Sequence, residues 1–272
     1  MGEQAGSGGR TTGFAAKLWS SVSYYVPSTL AIVALILIWH FSVTLFEIKE
    51  YILPSPGAAV ATFFDPKYRW GYNFLVTFYE IAGAFAISTV LGIALAVLIV
   101  WNSFLERTIL PLLVLFNTLP KIALAPLFVI WLGYGIWPNI VIAVTVSFFP
   151  VVVNTAAGLS NVDEDLLDLV RSLKARKWQI FLKIRFPNAM PYIFTALELN
   201  ATLSVVGAVV GEFVASEAGL GALIIVGGVT LSTPSIFAAL ILISALGLLL
   251  YWAVVAVGRF LMPWERRGNA KS

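Results

Sequence analysis

The chain has no cysteine and a single histidine, His40. The first absence excludes disulfides, thiolate nucleophiles and cysteine metal sites, and the second excludes a histidine metal cluster. Charge is scarce as well, with 11% Asp, Glu, Lys and Arg against 60% hydrophobic residues and a mean hydropathy of +0.92. A 272-residue globule of that make-up has too few polar side chains to cover itself in water, so its solvent is lipid. No Gly-x-x-x-x-Gly-Lys-Ser/Thr run occurs, which removes a P-loop. His-Glu-x-x-His and Gly-x-Ser-x-Gly are missing too, leaving an intramembrane enzyme without its usual nucleophile or metal ligands. The sequence pI of about 9.1 comes from basic residues placed beside apolar blocks, without the aromatic interleaving of a nucleic-acid surface.

What is present is length of apolar run. Segments able to cross about 30 Å of hydrocarbon at roughly 20 residues each are Val26–Phe46, Phe74–Val100, Ile109–Leu132, Ile136–Ala157, Pro191–Val214 and Ile236–Phe260. The expected fold is therefore an all-α integral membrane protein of about six spans. Residues 1–23 read as a disordered cytoplasmic tail, 24–265 as one membrane domain and 266–272 as a second cytoplasmic tail. The run after Tyr24 is too long for a cleaved signal peptide. With both termini cytoplasmic, 13 of the 17 Lys and Arg residues fall on the cytoplasmic side, while Lys49, Lys67 and Arg69 lie outside and Lys121 lies within a span. That asymmetry favours the in-in topology. Pro111, Pro120 and Pro126 punctuate the third segment, and such breaks persist in membranes where neighbouring helices or a wet cavity satisfy the freed backbone.

One polar stretch, within residues 158–188, interrupts the pattern. Asn161 has the chemistry of an N-cap, with Glu164 three residues on as in a capping box, and acidic residues follow at the positive end of the helix dipole. Leu166, Leu169, Val170 and Leu173 recur at helical spacing, predicting a short amphipathic helix that ends near Leu173. A second helical stretch, Arg176 to Ile184, presents Trp178, Phe181 and Leu182 and is expected to stop at Pro187. Two short helices with apolar faces need a partner to cover them.

In spacing, this stretch resembles the EAA loop of binding-protein-dependent ABC transporter permeases: E-A-A, three residues, G, nine residues, I-x-L-P. Here Asp168-Leu169-Val170 is followed by three residues, Lys174, nine residues and Ile184-Arg185-Phe186-Pro187. The motif glycine is replaced by Lys174, which tolerates a left-handed turn poorly. Leu53-Pro-Ser-Pro-Gly57, Ala123-Leu-Ala-Pro-Leu127, Phe149-Pro150 with Asn154 and Gly158, and Gly211-Glu-Phe-Val with Gly219-Leu-Gly221 resemble the nitrate/sulfonate/taurine branch. The likeness covers roughly residues 50 to 265. It implies a type I importer permease fold in the bacterial inner membrane. It further implies a second permease copy, two cytoplasmic ATPase subunits and an external substrate-binding protein as partners, with ATP and Mg used by the ATPase and no cofactor bound by this chain. Carried onto this sequence, the ATPase-coupling residues are Asp165, Asp168, Leu169, Val170, Arg171, Leu173, Lys174, Ala175, Trp178, Ile184 and Pro187.

Ionisable groups inside spans are costly and usually face protein or water. Glu80, Lys121, Glu198 and Glu212 are such groups. Together with Asn154, the last three are candidates for a substrate pathway for a small anionic solute. Two readings of Lys121 stand open: a cation that attracts the solute, or a partner in an internal ion pair with Glu198 or Glu80. Glu212 and the glycines up to Gly221 suggest either a partly re-entrant segment or a plain loop. A stand-alone secondary transporter or channel is the alternative function, although no internal repeat supports it.

Overall fold

The structure, a computed structural model, describes residues 12–263 and is all-helical among them. Its elements are α1 (Thr12–Leu45), α2 (Pro56–Ala61), α3 (Trp70–Trp101), α4 (Ser103–Thr118), α5 (Ala125–Leu132), α6 (Ile136–Ser160), α7 (Glu164–Ser172), α8 (Lys177–Ile180), α9 (Phe186–Ala215), α10 (Leu220–Val229) and α11 (Thr233–Leu261). The expected tails at residues 1–11 and 264–272 lie outside the described residues, and residues 12–23 belong to α1. Four continuous helical stretches are long and apolar enough to cross a membrane, built on α3, α6, α9 and α11, and the bent pair α4 and α5 makes a fifth if taken as one span. The segment expected to span first lies in α1, whose apolar part is Thr29–Leu45. All six expected apolar segments are thus helical, while the span count by length and composition is four to five.

The bundle is built inside out relative to a soluble protein. Along α3 the buried positions are Asn73, Thr77, Glu80, Ala84, Ser88, Gly92, Ala96 and Ile99, a face at intervals of three and four residues made mostly of small or polar groups, with Ile81 buried beside it. Leu75, Phe78, Val90, Leu91 and Leu98 of the same helix are exposed. Between helices surrounded by lipid, association depends on close packing and interhelical hydrogen bonds rather than on burial of bulky apolar groups. α6 packs most extensively along α9 and α3. At Gly207 an added Cβ would lie 2.4 Å from Ala143 Cα, and at Gly211 2.8 Å from Asn139 Cα, so α6 and α9 cross with their backbones nearly touching. One turn of polar side chains ties α3 to α9: Ser88 Oγ donates to Asn200 Oδ1 at 2.8 Å, and Asn200 Nδ2 donates to Thr89 Oγ1 at 2.9 Å.

The third apolar segment breaks where its prolines dictate. α4 ends at Thr118 and Leu119 is extended (φ −65, ψ 138), as a residue preceding proline must be to clear the ring. A 3₁₀ turn, Lys121–Leu124, follows, and Pro126 sits in the first turn of α5, where its missing N–H has no acceptor to serve. The two halves meet at 81°.

Candidate coupling and translocation sites

The polar stretch joins the end of α6 to the start of α9. Asp163, rather than Asn161, caps α7: its carboxylate accepts from the Asp165 amide at 2.9 Å. Asn161 instead ends α6, donating from Nδ2 to the Tyr192 hydroxyl at 2.5 Å while its carbonyl accepts from Asn188 Nδ2 at 2.6 Å. The cap shifts by two residues because α6 continues through Ser160 and engages Asn161 from behind. α7 buries Leu167 and leaves Leu166, Leu169 and Leu173 exposed, with Val170 half-buried. Asp165 and Asp168 are exposed, and Asp168 pairs with Arg171 at 2.8 Å.

The turn after α7 settles the conformation at Lys174. Its φ is 57°, left-handed; the Ala175 amide bonds back to Val170 O at 3.1 Å and the Lys174 amide to Arg171 O at 2.9 Å. These are the two bonds of a Schellman cap, formed here with lysine in the position that glycine occupies most easily. α8 carries Trp178, exposed, and Phe181, directly after the helix, is buried. Their rings and that of Trp101 at the end of α3 lie 5.5 to 6.1 Å apart, which fixes the loop to the bundle. Pro187 does not stop the second stretch. A π turn over Phe181–Arg185, with Ile184 within it, closes on a Phe186 amide to Phe181 carbonyl bond and leads straight into α9. Pro187 then occupies the first turn of that helix. The wider π turn accommodates the ring that would otherwise clash with the preceding carbonyls.

At mid-length of α3 and α6, a cleft of about 380 Å³ is lined by Leu91, Leu113, Phe116, Asn117, Lys121, Thr145, Phe148 and Phe149, among others. Lys121 Nζ donates to Asn117 Oδ1 and stands 5.9 Å from the Phe149 ring centre. The ion pairs among the described residues are Lys67–Asp65 and Arg171–Asp168, so Lys121 has no carboxylate partner there. Glu198 instead accepts from the Tyr251 hydroxyl at 3.4 Å, and Asn154 Nδ2 donates to Pro150 O at 2.8 Å; neither lines this cleft.

Glu212 lies at the opposite end of the bundle from the coupling loop, 1% exposed. Thr77 Oγ1 donates to its Oε1 at 2.6 Å and the Gly221 amide donates to its Oε2. The Leu220 amide donates to Thr77 Oγ1 and the Gly219 amide to Asn73 Oδ1, each at 2.8 Å. The glycine-rich stretch therefore forms a turn plus the helix α10, pinned to α3 and α9. Gly219 has a φ of +113°, and an added Cβ would stand 2.2 Å from Glu212 Oε1, so glycine is required there.

Residues 88–263 match the family described as binding-protein-dependent transport system inner membrane component. The chain belongs to that family. It is an inner-membrane permease of an ATP-binding-cassette importer, which implies ATPase and binding-protein partners. Among its relatives, the formylaminopyrimidine transport permease protein ThiX of Halalkalibacterium halodurans is 35% identical over 240 residues, covering 88% of this chain and 96% of that protein. The riboflavin transport system permease protein RibX of Chloroflexus aurantiacus is 30% identical, covering 88% and 90%. The putative aliphatic sulfonates transport permease protein SsuC of Bacillus subtilis is 28% identical, covering 85% and 84%. A solved inward-facing structure of the MetNI methionine ABC transporter shares the fold with a TM-score of 0.60 at 21% identity, over 69% of this chain and 93% of that one.

Membership in this family displaces the stand-alone transporter reading. Sequence reasoning about the permease missed Leu167 and the convergence of Glu80 and Glu212 on Asn139 and Thr77. The second was signalled by polar residues at 73, 77 and 80, one face of an otherwise apolar helix.

Proposed function

We propose that this permease, paired with a second copy, forms a six-span pathway with both termini cytoplasmic, and that its 158–188 loop is the surface on which a separate ATPase subunit drives it. The observation that carries this reading is the ridge Leu166, Leu169 and Leu173, exposed on a capped nine-residue helix that is locked to the bundle through Leu167 and Phe181. Apolar groups held rigidly outward at the cytoplasmic face suit a docking groove, because fixing their geometry beforehand lowers the ordering cost of association. The exposed coupling residues from Asp165 to Trp178 lie on this helix and the turn after it, while Ile184 and Pro187 set the π turn behind. ATP and Mg belong to the partner, and this chain contributes the mechanical contact.

For the solute we infer a small anion or a compact compound with an anionic group, in keeping with the sulfonate and nitrate permeases among the relatives; the permeases named for formylaminopyrimidine and riboflavin, compounds that carry no anionic group, are the competing precedent. Lys121 supplies the attraction: a half-buried ammonium in the mid-bundle cleft with no carboxylate to neutralise it. Glu198 and Asn154 extend the polar lining of the path, and Glu212 braces its outer end. The deciding experiment replaces Leu169 and Val170 together with Asp and measures retention of the ATPase on the purified permease. Loss of ATPase with unchanged melting of the permease is expected, since these side chains lie outside the bundle core. ATPase retained at wild-type strength removes the coupling assignment.

A further inference from the structure

At the outer end of the bundle two buried carboxyls are unequally served by donors. Glu212 receives Thr77 Oγ1 on one oxygen and the Gly221 amide on the other, the latter from the first turn of the ten-residue α10, whose N-terminal end favours negative charge. Glu80, fully buried, receives one donor, Asn139 Nδ2 on Oε1 at 2.8 Å, and none on Oε2. Yet Glu80 and Glu212 share one buried cluster: Thr77, one turn before Glu80 on α3, bonds Glu212, and Asn139, the donor to Glu80, packs against Gly211 beside Glu212. Two bare carboxylates are acceptors only, so two that share a buried cluster without a cation are held together when one brings a hydrogen. Among the described residues nothing else facing the pair neutralises it: Thr77 of α3, Asn139 of α6 and the amides of α10 carry no charge, neither carboxyl forms an ion pair, and Glu217 in the connecting turn is exposed.

We propose that Glu80 and Glu212 form a proton-binding site, with the hydrogen on Glu80 Oε2 donated to Glu212, and that this bond is the latch holding the start of α10 against α3 and α9. Each carboxyl then has its role. Glu212, anchored by a helix terminus, is the anion; Glu80, which has a single donor, is the neutral acid. Removing the proton places two anions in contact at a site with no cation, and the segment that yields is the turn 216–221, which meets the bundle through Asn73, Thr77 and Glu212. The latch stands apart from both the ATPase loop and Lys121, so it can fail while those readings hold.

The test uses the full-chain transporter in detergent. In infrared difference spectra, Glu80→Gln should remove one neutral-carboxyl carbonyl band present in the wild type. Amide hydrogen exchange over residues 216–225 should change in that variant by no more than about twofold, because the glutamine amide donates where the acid did and its oxygen still accepts from Asn139. Glu212→Gln should raise exchange there by about tenfold or more, since an amide nitrogen set against the Thr77 hydroxyl or the Gly221 amide leaves a buried donor unmet. If Glu212→Gln does not fold, Thr77→Val, which removes one donor to Glu212 and the acceptor of the Leu220 amide, should give a rise of the same kind. Absence of the wild-type band, equal loosening in Glu80→Gln and Glu212→Gln, or no rise in Thr77→Val would each overturn the proposal. So would a band or protection that changes when sodium replaces choline, because a metal cation would then be the occupant.

Discussion

The two ends of the permease break the ordinary rule for side chains in opposite directions. At the outer end, carboxyls and amides that belong in water are buried and meet one another across four helices. At the coupling end, leucines that belong in a core are held out in the open by a cap, a left-handed turn and an aromatic anchor. Burying Glu80 and Glu212 has a structural return only if every partner stays in place, since a half-satisfied buried network is worse than none. Exposing Leu166, Leu169 and Leu173 has one only if another protein covers them. On the proposed reading, the outer end closes on partners within the described chain, whereas the loop end is covered only in an assembly.

The sharpest way to break this contrast is to destroy the sealed end and watch the open one. Gly219→Val forces a branched side chain onto a left-handed backbone and into Glu212, where the nearest oxygen is 2.2 Å from an added Cβ. A loss of about 3 kcal/mol or more is expected, combining backbone strain with overpacking. It should appear as a drop in melting temperature in detergent while ATPase binding survives below the transition.

A middle-sized effect is expected between the two ends. Lys121→Met removes a charge that has no carboxylate partner, so melting should barely move. Solute-stimulated ATPase activity should fall roughly tenfold, equivalent to about 1.4 kcal/mol of lost attraction. Destabilisation that is rescued by Glu198→Gln would assign Lys121 to an ion pair.

The smallest effect belongs to the turn of the coupling loop. Lys174→Gly relieves a left-handed residue of about 1 kcal/mol of steric cost, offset in part by the greater freedom of glycine when unfolded. Slower amide exchange over residues 164–175 with unchanged overall melting is the expected sign.

Much of this was readable before any coordinates. Each of the six apolar runs became helix, and Pro120 broke the third where the residue-before-proline rule requires, with Pro126 in the first turn of the helix that follows. The loop was legible because its apolar spacing is local. What escaped were features decided by partners far along the chain. Asn161 has the chemistry of an N-cap, but Tyr192 and Asn188 of α9 claim it, and Asp163 takes over. Pro187 resembles a terminator, but the π turn behind it lets the chain run on. Glu80 and Glu212 are 132 residues apart: the polar face at 73, 77 and 80 marks a buried site on α3, but nothing local says that α9 supplies its other carboxyl. Lys174 adopted the glycine conformation because the Schellman bonds and the Phe181 anchor over-determine the turn.

The contrast between a sealed outer end and an open cytoplasmic end depends most directly on which side of the membrane each end faces, and a chain without cysteine permits a clean measurement. Single cysteines at Lys67, beside the outer end, and at Lys177, in the coupling loop, are both placed on exposed positions. In sealed right-side-out vesicles, a membrane-impermeant maleimide should label the cysteine at position 67 at once and the one at position 177 only after the vesicles are opened. Labelling of both from the same side would contradict the account.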